Sequence, residues 1–416
     1  MLKKLILENW KSFRYAELPL DPLTVLIGTN ASGKSNVVEA LEFLQRIANG
    51  ENIETALAGD KTLSSIRGGL EWAGYQGEYR FTLETLIQGD NNKIDYLHSI
   101  EVCTDNPVHL LEENITVYDY QDNNRILCQS FSLNGYNFVV RSYLANYQSC
   151  TIGQFFNLRI DGLNDENEKS HKRKFDFNDK NLSILINNVI RPTIANILIL
   201  NPIPSKMRDF SRLSENIESD ASNIAGVLAA LPEEQKAEVE SNLSYYIKDL
   251  PEGDIKKVFA EPVGRLKTDA MLYCQEEWKP GEITEIDARS MSDGTLRFLA
   301  ILTALLTRPE GSQIVIEEID NGLHPSRAAL LVKILKEIGS KRNIDILLTT
   351  HNPALLDAFG SEIVPFVVVA HRDSETGESK LTLLEDIENL PLLLASGTLG
   401  RLATKGAIEK SLSNQK

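Results

Sequence analysis

Cysteine is scarce in this chain: Cys103, Cys128, Cys150 and Cys274 are the only 4 in 416 residues. They are widely scattered and show no CxxC spacing, so neither a zinc site nor a disulfide framework is expected. A reducing cytoplasm is the simplest setting. Long apolar runs are missing too. No stretch approaches the ~20 apolar residues that span a bilayer, so no membrane partner is expected. The opening Met1-Leu2-Lys3-Lys4-Leu5-Ile6-Leu7 is cut short by Glu8 and Asn9 and reads as a strand rather than a signal peptide. No heptad pattern is sustained, so long coiled-coil arms are not expected. Positive charge is short: 43 Lys and Arg face 59 Asp and Glu, for a net charge of −16. Broad wrapping in nucleic acid, which runs on phosphate neutralisation, is disfavoured. A local basic patch is not. The candidate is 169–174, with Lys169, His171, Lys172, Arg173 and Lys174. Beside the acidic run Asp165-Glu166-Asn167-Glu168 it reads more simply as a solvated loop.

What is present is the material of a soluble globular protein, 42% hydrophobic and 25% charged. The length suits one large domain or two ordinary ones. Leu5–Leu7, Ala16–Leu20 and Leu23–Ile27 read as strands. From Ser35 the apolar residues Val37, Val38, Leu41, Leu44 and Ile47 recur at helical spacing, and Gly50 stands at the C-terminal cap. Residues 66–160 read as antiparallel strands: Tyr79–Leu83, Ile115–Tyr118, Ile126–Leu133 and Phe138–Val140, with Asn134-Gly135 as a hairpin turn. From about 181 to 260 the pattern is largely helical: Leu182–Val189, Ile217–Leu231 and Glu233–Leu250, interrupted by the strand-like Ile197–Leu200. Residues 295–370 alternate: helix 295–307, strand 313–317, helix 325–338, strand 344–350, helix 353–359, strand 363–370. That alternation predicts a parallel sheet covered on both faces. The core would be assembled from both ends of the chain, with the middle inserted.

Four segments carry chemistry. Gly28-Thr29-Asn30-Ala31-Ser32-Gly33-Lys34-Ser35 is a complete phosphate-binding P-loop between an apolar strand and an amphipathic helix. Gly28 and Gly33 let successive N–H groups point into one nest. Lys34 reaches the β and γ phosphates, and Ser35 offers its hydroxyl to Mg²⁺. Glu317-Glu318 closes the buried strand Ile314-Val315-Ile316, and two adjacent carboxylates there call for a cation. Because side chains alternate along a strand, the two should differ in role: one facing Mg²⁺ through water, the other orienting or deprotonating the attacking water. Ser292-Asp293-Gly294-Thr295 precedes an apolar helix. Ser292 or Asp293 serves as an ordinary N-cap, and the same helix end is a potential anion site for a γ-phosphate held by another subunit. His351, after Leu347-Leu348-Thr349-Thr350, either senses the γ-phosphate or caps the next helix before Asn352-Pro353. His324 stands at a dimer seam or in plain turn chemistry.

Together these segments resemble the ABC-type ATPase heads of the SMC, RecF and OLD group, whose bacterial members often carry the AAA label. Leu7-Glu8-Asn9-Trp10-Lys11-Ser12-Phe13 looks like that group's opening. Gly28–Asn36 looks like its P-loop, and Ser292-Asp293-Gly294-Thr295-Leu296-Arg297 like its signature. Glu317-Glu318 with Gly322-Leu323-His324-Pro325 looks like its Walker B and D-loop segment, and Thr350-His351-Asn352-Pro353 like its switch. The likeness is strong over roughly 1–50 and 285–370. It implies an α/β P-loop NTPase with an ABC-type head: a mixed, largely parallel sheet flanked by helices, an antiparallel β lobe and an inserted helical lobe. As one domain over 1–416, the core would be 1–50 and 285–370, the β lobe 51–180, the helical lobe with connecting strands 181–284, and a C-terminal hairpin and helix 371–416.

The resemblance also implies roles. Asn30, Ala31, Ser32, Gly33, Lys34, Ser35 and Asn36 would bind ATP. Ser35, and Glu317 through water, would hold Mg²⁺. Glu318 would be the catalytic carboxylate and His351 the switch. Ser292, Asp293 and Gly294 would form the signature that acts in trans on a second copy. Glu317 is one methylene longer than the usual aspartate, and Ile319 stands where proline is common. The glutamine that usually joins the lobes is not identifiable; Asn201 stands near its place. DNA-cleaving OLD members carry a C-terminal nuclease, whereas about 65 residues follow His351 here. The chain would thus be an ATP-hydrolysing homodimer or higher oligomer that gates a separate nuclease or toxin, as in bacterial anti-phage defence, with DNA as a further partner. The alternatives are a RecF-like DNA-repair ATPase and a non-hydrolysing ATP-binding scaffold.

Overall fold

Three strands with almost no exposed residue set the centre of the molecule's parallel sheet. Leu23–Ile27 (β3), Gln313–Ile316 (β14) and Asp345–Thr349 (β15) are apolar along nearly their whole length, as strands covered on both faces must be. The computed structural model describes residues 1–89, 93–121, 125–134, 137–146, 185–250, 254–322 and 324–414. The basic run 169–174, the neighbouring acidic run, Cys150, Gly135 and Leu182 lie outside them. Strand labels run in chain order.

The chain divides into two compact units: Met1–Glu17 with Phe43–Ala195, and Leu18–Glu42 with Asn196–Lys416. The first carries a seven-stranded sheet in the order β2-β1-β4-β5-β6-β7-β8. Its strands are Leu2–Trp10 (β1), Phe13–Pro19 (β2), Arg80–Gln88 (β4), Ile94–Cys103 (β5), His109–Gln121 (β6), Arg125–Asn134 (β7) and Asn137–Asn146 (β8). The pairings from β1 and β4 through to β8 are antiparallel. An aromatic cluster, Trp10, Phe43 and Phe81, fills its core, with Trp10 edge-on to Phe81 at 4.8 Å between centroids. Cys103 in this unit and Cys274 in the other are buried free thiols.

The second unit holds the six-stranded sheet, ordered β17-β16-β3-β15-β14-β9. Ile197–Leu200 (β9), β14, β15, β3 and Val367–Arg372 (β16) run parallel; Ser379–Leu383 (β17) closes the edge as a hairpin. Register aligns the strand ends: Ile316 faces Leu348, and Leu348 faces Val25. The chain segments leaving β3, β14 and β15 therefore emerge along one edge, where ligands of open α/β sheets bind. Helices Asp293–Thr307, Ala328–Arg342 and Pro353–Phe359 bury Phe298, Leu302, Leu331, Leu335 and Phe359 in this unit's core.

Three stretches differ from the sequence reading; in one, the strand expected at 363–370 begins only at Val367, after a 3₁₀ helix over Ser361–Phe366. Helix does not begin at Ile217 but at Ile224, and runs to Ala230. The Asn223 side chain accepts from Glu218 N and donates to Asn216 O, which holds 216–223 as a loop, and Ala221 sits at φ 56°. Residues 255–260, the end of the stretch read as largely helical, belong instead to an antiparallel sheet that runs on to 287. Ile255–Val263 (β11), Asp269–Lys279 (β12) and Glu282–Asp287 (β13) pair in a meander, with Ser211–Arg212 (β10) on the other side of β12. Burial is continuous along 258–260 in β11 and 270–272 in β12, and alternates only further along β12, where Leu272, Cys274 and Glu276 are buried.

Candidate functional site

The P-loop leaves the end of β3 and turns into helix Lys34–Ala48. Its backbone is bent where glycine is needed. Gly28 has φ 143° and Gly33 φ 111°, while Ala31 takes φ 62°. A Cβ at Gly28 would lie 2.1 Å from the carbonyl oxygen of Ala370, so no other residue fits. Arg372, from β16, donates through Nε to the Ala31 carbonyl at 3.0 Å and so pins the loop's tip. Sequence reasoning gave no hint of this brace.

Lys34 is buried. Its ammonium donates to the carbonyls of Gly28 at 2.7 Å and Thr29 at 2.9 Å. Burial pushes its pKa down to about 8, against the opposing pull of Glu318 and Glu317. A triphosphate would supply the negative charge that this site is short of near the loop amides.

Ser35 Oγ donates to Glu317 Oε1. Two oxygen ligands of the kind Mg²⁺ prefers thus stand together at the mouth of the loop. Mg²⁺ keeps several waters and takes one or two protein oxygens plus phosphates, so this donor set fits it. Among the described residues no cluster of three or more His, Cys, Asp or Glu side chains could hold a metal ion by itself.

Here the structure corrects the argument for how Glu317 and Glu318 part company. Strand alternation does not reach them, because β14 ends at Ile316 and residues 317–320 form a turn. The separation comes from Glu318 itself, at φ 47°. Its N–H donates to Thr349 Oγ1 at 2.8 Å, and the next amide, Ile319 N, donates to Thr349 O at 3.1 Å. Left-handed backbone at a glutamate is costly and marks a constrained position. Asn321 Nδ2 lies 3.4 Å from Glu318 Oε2. Asp320 accepts from the Thr350 hydroxyl, tying this turn to the end of β15.

His351 follows that strand end and is exposed. It does not cap the next helix: Asn352 does, accepting from Ala354 N at 2.9 Å. The imidazole's pKa is lowered, chiefly by desolvation and then by Lys34 nearby, so it stays neutral at pH 7. A neutral ring carries one donor and one acceptor, which suits contact with a phosphate oxygen or a water.

Ser292 is the N-cap of helix Asp293–Thr307, accepting from Thr295 N at 3.1 Å. Asp293 pairs with Arg208 at 2.7 Å. Gly294 faces the turn after β14: a Cβ there would come within 2.9 Å of Gly322 O and 2.8 Å of Arg327. The contacts of Ser292 and Asp293 run to Thr295 and Arg208, not to the P-loop. His324 closes its own turn, with Nδ1 2.7 Å from Ser326 Oγ. Asn201 is exposed just past β9, and its N–H donates to Ser219 O at 2.7 Å.

Two family models match the chain. One, described as an AAA ATPase domain, covers residues 1–188. The other, described as an AAA domain, putative AbiEii toxin, type IV TA system, covers 153–357. No curated protein matches. Solved structures similar to the chain include an Smc head with an extended coiled coil bound to the C-terminal domain of ScpA, from Pyrococcus furiosus. It is 13% identical, covers 95% of this chain and 99% of that one, and has a TM-score of 0.49. An SmcHead bound to the C-winged helix domain of ScpA is 13% identical, with 92% and 96% covered and a TM-score of 0.48. The SMC head domain from Thermotoga maritima is 15% identical, with 92% and 98% covered and a TM-score of 0.38. With the P-loop, the paired acids and His351 following strands of one largely parallel sheet, the chain is similar over 1–357 to AAA ATPase domains, each of the two models matching a little under half of it.

Proposed function

We propose that this chain is an ATP-hydrolysing switch that closes head to tail on a second copy around two ATP molecules and gates a separate effector protein. The observation that carries the reading is the bond between Ser35 and Glu317 at the P-loop mouth, with Glu318 next in sequence but turned by its own backbone.

Asn30 to Asn36 would cradle the phosphates through backbone N–H groups, the loop nest and the start of the helix. Lys34 would leave the Gly28 and Thr29 carbonyls for the β and γ phosphates. Ser35 directly, and Glu317 through water, would hold Mg²⁺, which when bound neutralises charge developing on the phosphates. Glu318 would accept a proton from the attacking water, or orient it, from a backbone whose N–H is held by Thr349. His351, held neutral, would hydrogen-bond the γ-phosphate and change partners on its loss.

One copy holds P-loop, acids and histidine together, while Ser292 and Gly294 sit at a helix end engaged elsewhere. In the trans reading, a signature helix N-terminus from the second copy would complete the donors around the γ-phosphate. The toxin–antitoxin wording of one matching family description supports a defence setting; the gated partner would be a separate nuclease or toxin.

The test is steady-state ATP hydrolysis by the purified chain, followed by light scattering of a Glu318→Gln variant with ATP. Turnover in the wild type and an ATP-dependent dimer in the variant support the switch. An ATP-bound monomer would count against the sandwich. DNA-stimulated turnover without a copurifying protein partner would favour a repair role instead.

A further inference from the structure

Val369 of β16 pairs in parallel with Ile27, the last residue of β3. Beyond that pair the two chain segments stay in touch. The carbonyl of Ala370 stands against Gly28, and Arg372, the last residue of β16, reaches Ala31. Its Nε donates to Ala31 O at 3.0 Å and its Nη1 to Gly377 O at 2.6 Å. One guanidinium thus ties the tip of the P-loop to the turn that joins β16 to β17. That turn is itself fastened. Asp373 Oδ1 accepts from the N–H groups of Glu375 and Thr376, both at 2.9 Å, and its Oδ2 from Lys380 at 2.7 Å. Gly377 N–H donates to Asp373 O at 3.0 Å and closes the turn.

The bond at Ala31 aims an amide. In a planar trans peptide the carbonyl and the following N–H point in opposite directions. Arg372 holds the Ala31 carbonyl on one side, so the Ser32 N–H turns to the other, back into the loop, where Ser32 N lies 3.3 Å from Thr29 O. That bond is long and readily exchanged for a better acceptor. Ala31 sits at φ 62°, a left-handed conformation that a Cβ disfavours. A flip of the Ala31–Ser32 peptide would turn a carbonyl oxygen into the loop in place of the N–H.

Two cations hold three carbonyls of the loop: Lys34 holds Gly28 and Thr29, and Arg372 holds Ala31. A nucleotide would affect the two differently. Lys34 would give up its carbonyls to phosphate. Arg372 approaches from the neighbouring strand and would keep its own.

We infer that Arg372 is a positioning residue of the nucleotide site, which keeps the Ala31–Ser32 peptide turned so that the Ser32 N–H serves the α and β phosphates. This rests on the reading of the site as an ATP site. Those two phosphates are common to ATP and ADP, so the effect should be the same for both. The fork matters as well as the charge: Nε and Nη1 engage two carbonyls in fixed geometry, which a single ammonium does not reproduce.

The test is calorimetric titration with Mg²⁺ and the non-hydrolysable triphosphate AMP-PNP, and separately with ADP. Arg372→Ala should weaken both by the same factor, about three- to tenfold. In steady-state hydrolysis the KM for ATP should rise by a similar factor, with kcat held within about twofold, because the amide serves ground state and transition state alike. Arg372→Lys keeps the charge and should bind as weakly as the alanine variant. Urea midpoints of the wild type and both variants should coincide. Unchanged affinity in Arg372→Ala would overturn the inference, as would full recovery by Arg372→Lys, which would reduce the role to charge. So would a loss confined to AMP-PNP, or a midpoint that falls together with affinity, which would make the bond a support of the fold. Should the alanine variant fail to fold, Arg372→Lys decides alone: equal weakening for both nucleotides supports the inference, and wild-type affinity overturns it. If the wild type binds neither nucleotide, it is the ATP-site reading that fails.

Discussion

Ser35 and Glu317, 282 positions apart in the chain, are joined by a hydrogen bond from hydroxyl to carboxylate. The bond brings the end of the P-loop and the end of β14 to one point. It is the place where a cation shared with phosphate would sit.

Lys34→Ala should weaken Mg-ATP binding by at least about a hundredfold, because it removes a charge-assisted contact made in a buried setting. Equilibrium titration checks this. Affinity retained within about threefold would remove Lys34 from the phosphate site.

Glu318→Gln should leave ATP binding in place and cut turnover by about 10²- to 10⁴-fold, the usual scale of a lost general base. Phosphate release measures the first effect. Light scattering with ATP should show the mass double as the pre-hydrolysis state accumulates.

Ser292→Arg should also spare binding and stop turnover, since its arm would fill the space meant for phosphate in trans. Mixing this variant with Lys34→Ala gives a sharper test. Hybrid pairs would contain one site with both parts intact, so random exchange should restore roughly a quarter of wild-type activity. A mixture as dead as its components would sink the composite site.

The pH response of binding should reflect Lys34. Burial lowers its pKa to about 8, and bound phosphates would raise it again. Between the two values the free protein has lost a proton that the complex holds. Binding should therefore take up a proton above pH 8 and weaken as pH rises further. Calorimetry at pH 8.5 in two buffers of different ionisation heat would reveal the uptake. Identical heats would contradict it.

Asp345 offers a stability test at the start of β15. Burial raises its carboxyl to about 6, with Asp21 adding to the rise. The folded state thus holds this proton more tightly than the unfolded chain. Stability is gained as pH falls through 6, and ionisation costs stability above it. Asp345→Asn should stabilise the protein by about 2–3 kcal/mol at pH 8 and by almost nothing at pH 4. Denaturant melts at the two pH values decide the matter.

The sequence by itself determined the parts whose chemistry is local. A P-loop is a contiguous set of torsions, amides and side chains between a strand and a helix, and Gly28 to Ser35 could be read directly. The central strands were legible because burial on both faces leaves an unbroken apolar run, as in Ile314–Ile316 and Leu347–Leu348. Ser292 was legible as an N-cap because capping is settled within one turn.

Tertiary structure decided the rest. Ile217–Leu231 carries apolar residues at helical spacing, yet Asn223 spends its side chain on Glu218 and Asn216 and keeps 216–223 out of the helix. The strands at 255–287 depend on partners across the sheet, and β11 is broken in pattern by Lys256, Lys257, Glu261 and Pro262. The different settings of Glu317 and Glu318 arise from a positive φ held by Thr349, a residue 31 positions away from Glu318. Motifs record what neighbouring residues do to one another. A charge imported from another part of the chain is recorded only in the fold, since its effect depends on distance through space and on the low dielectric around it.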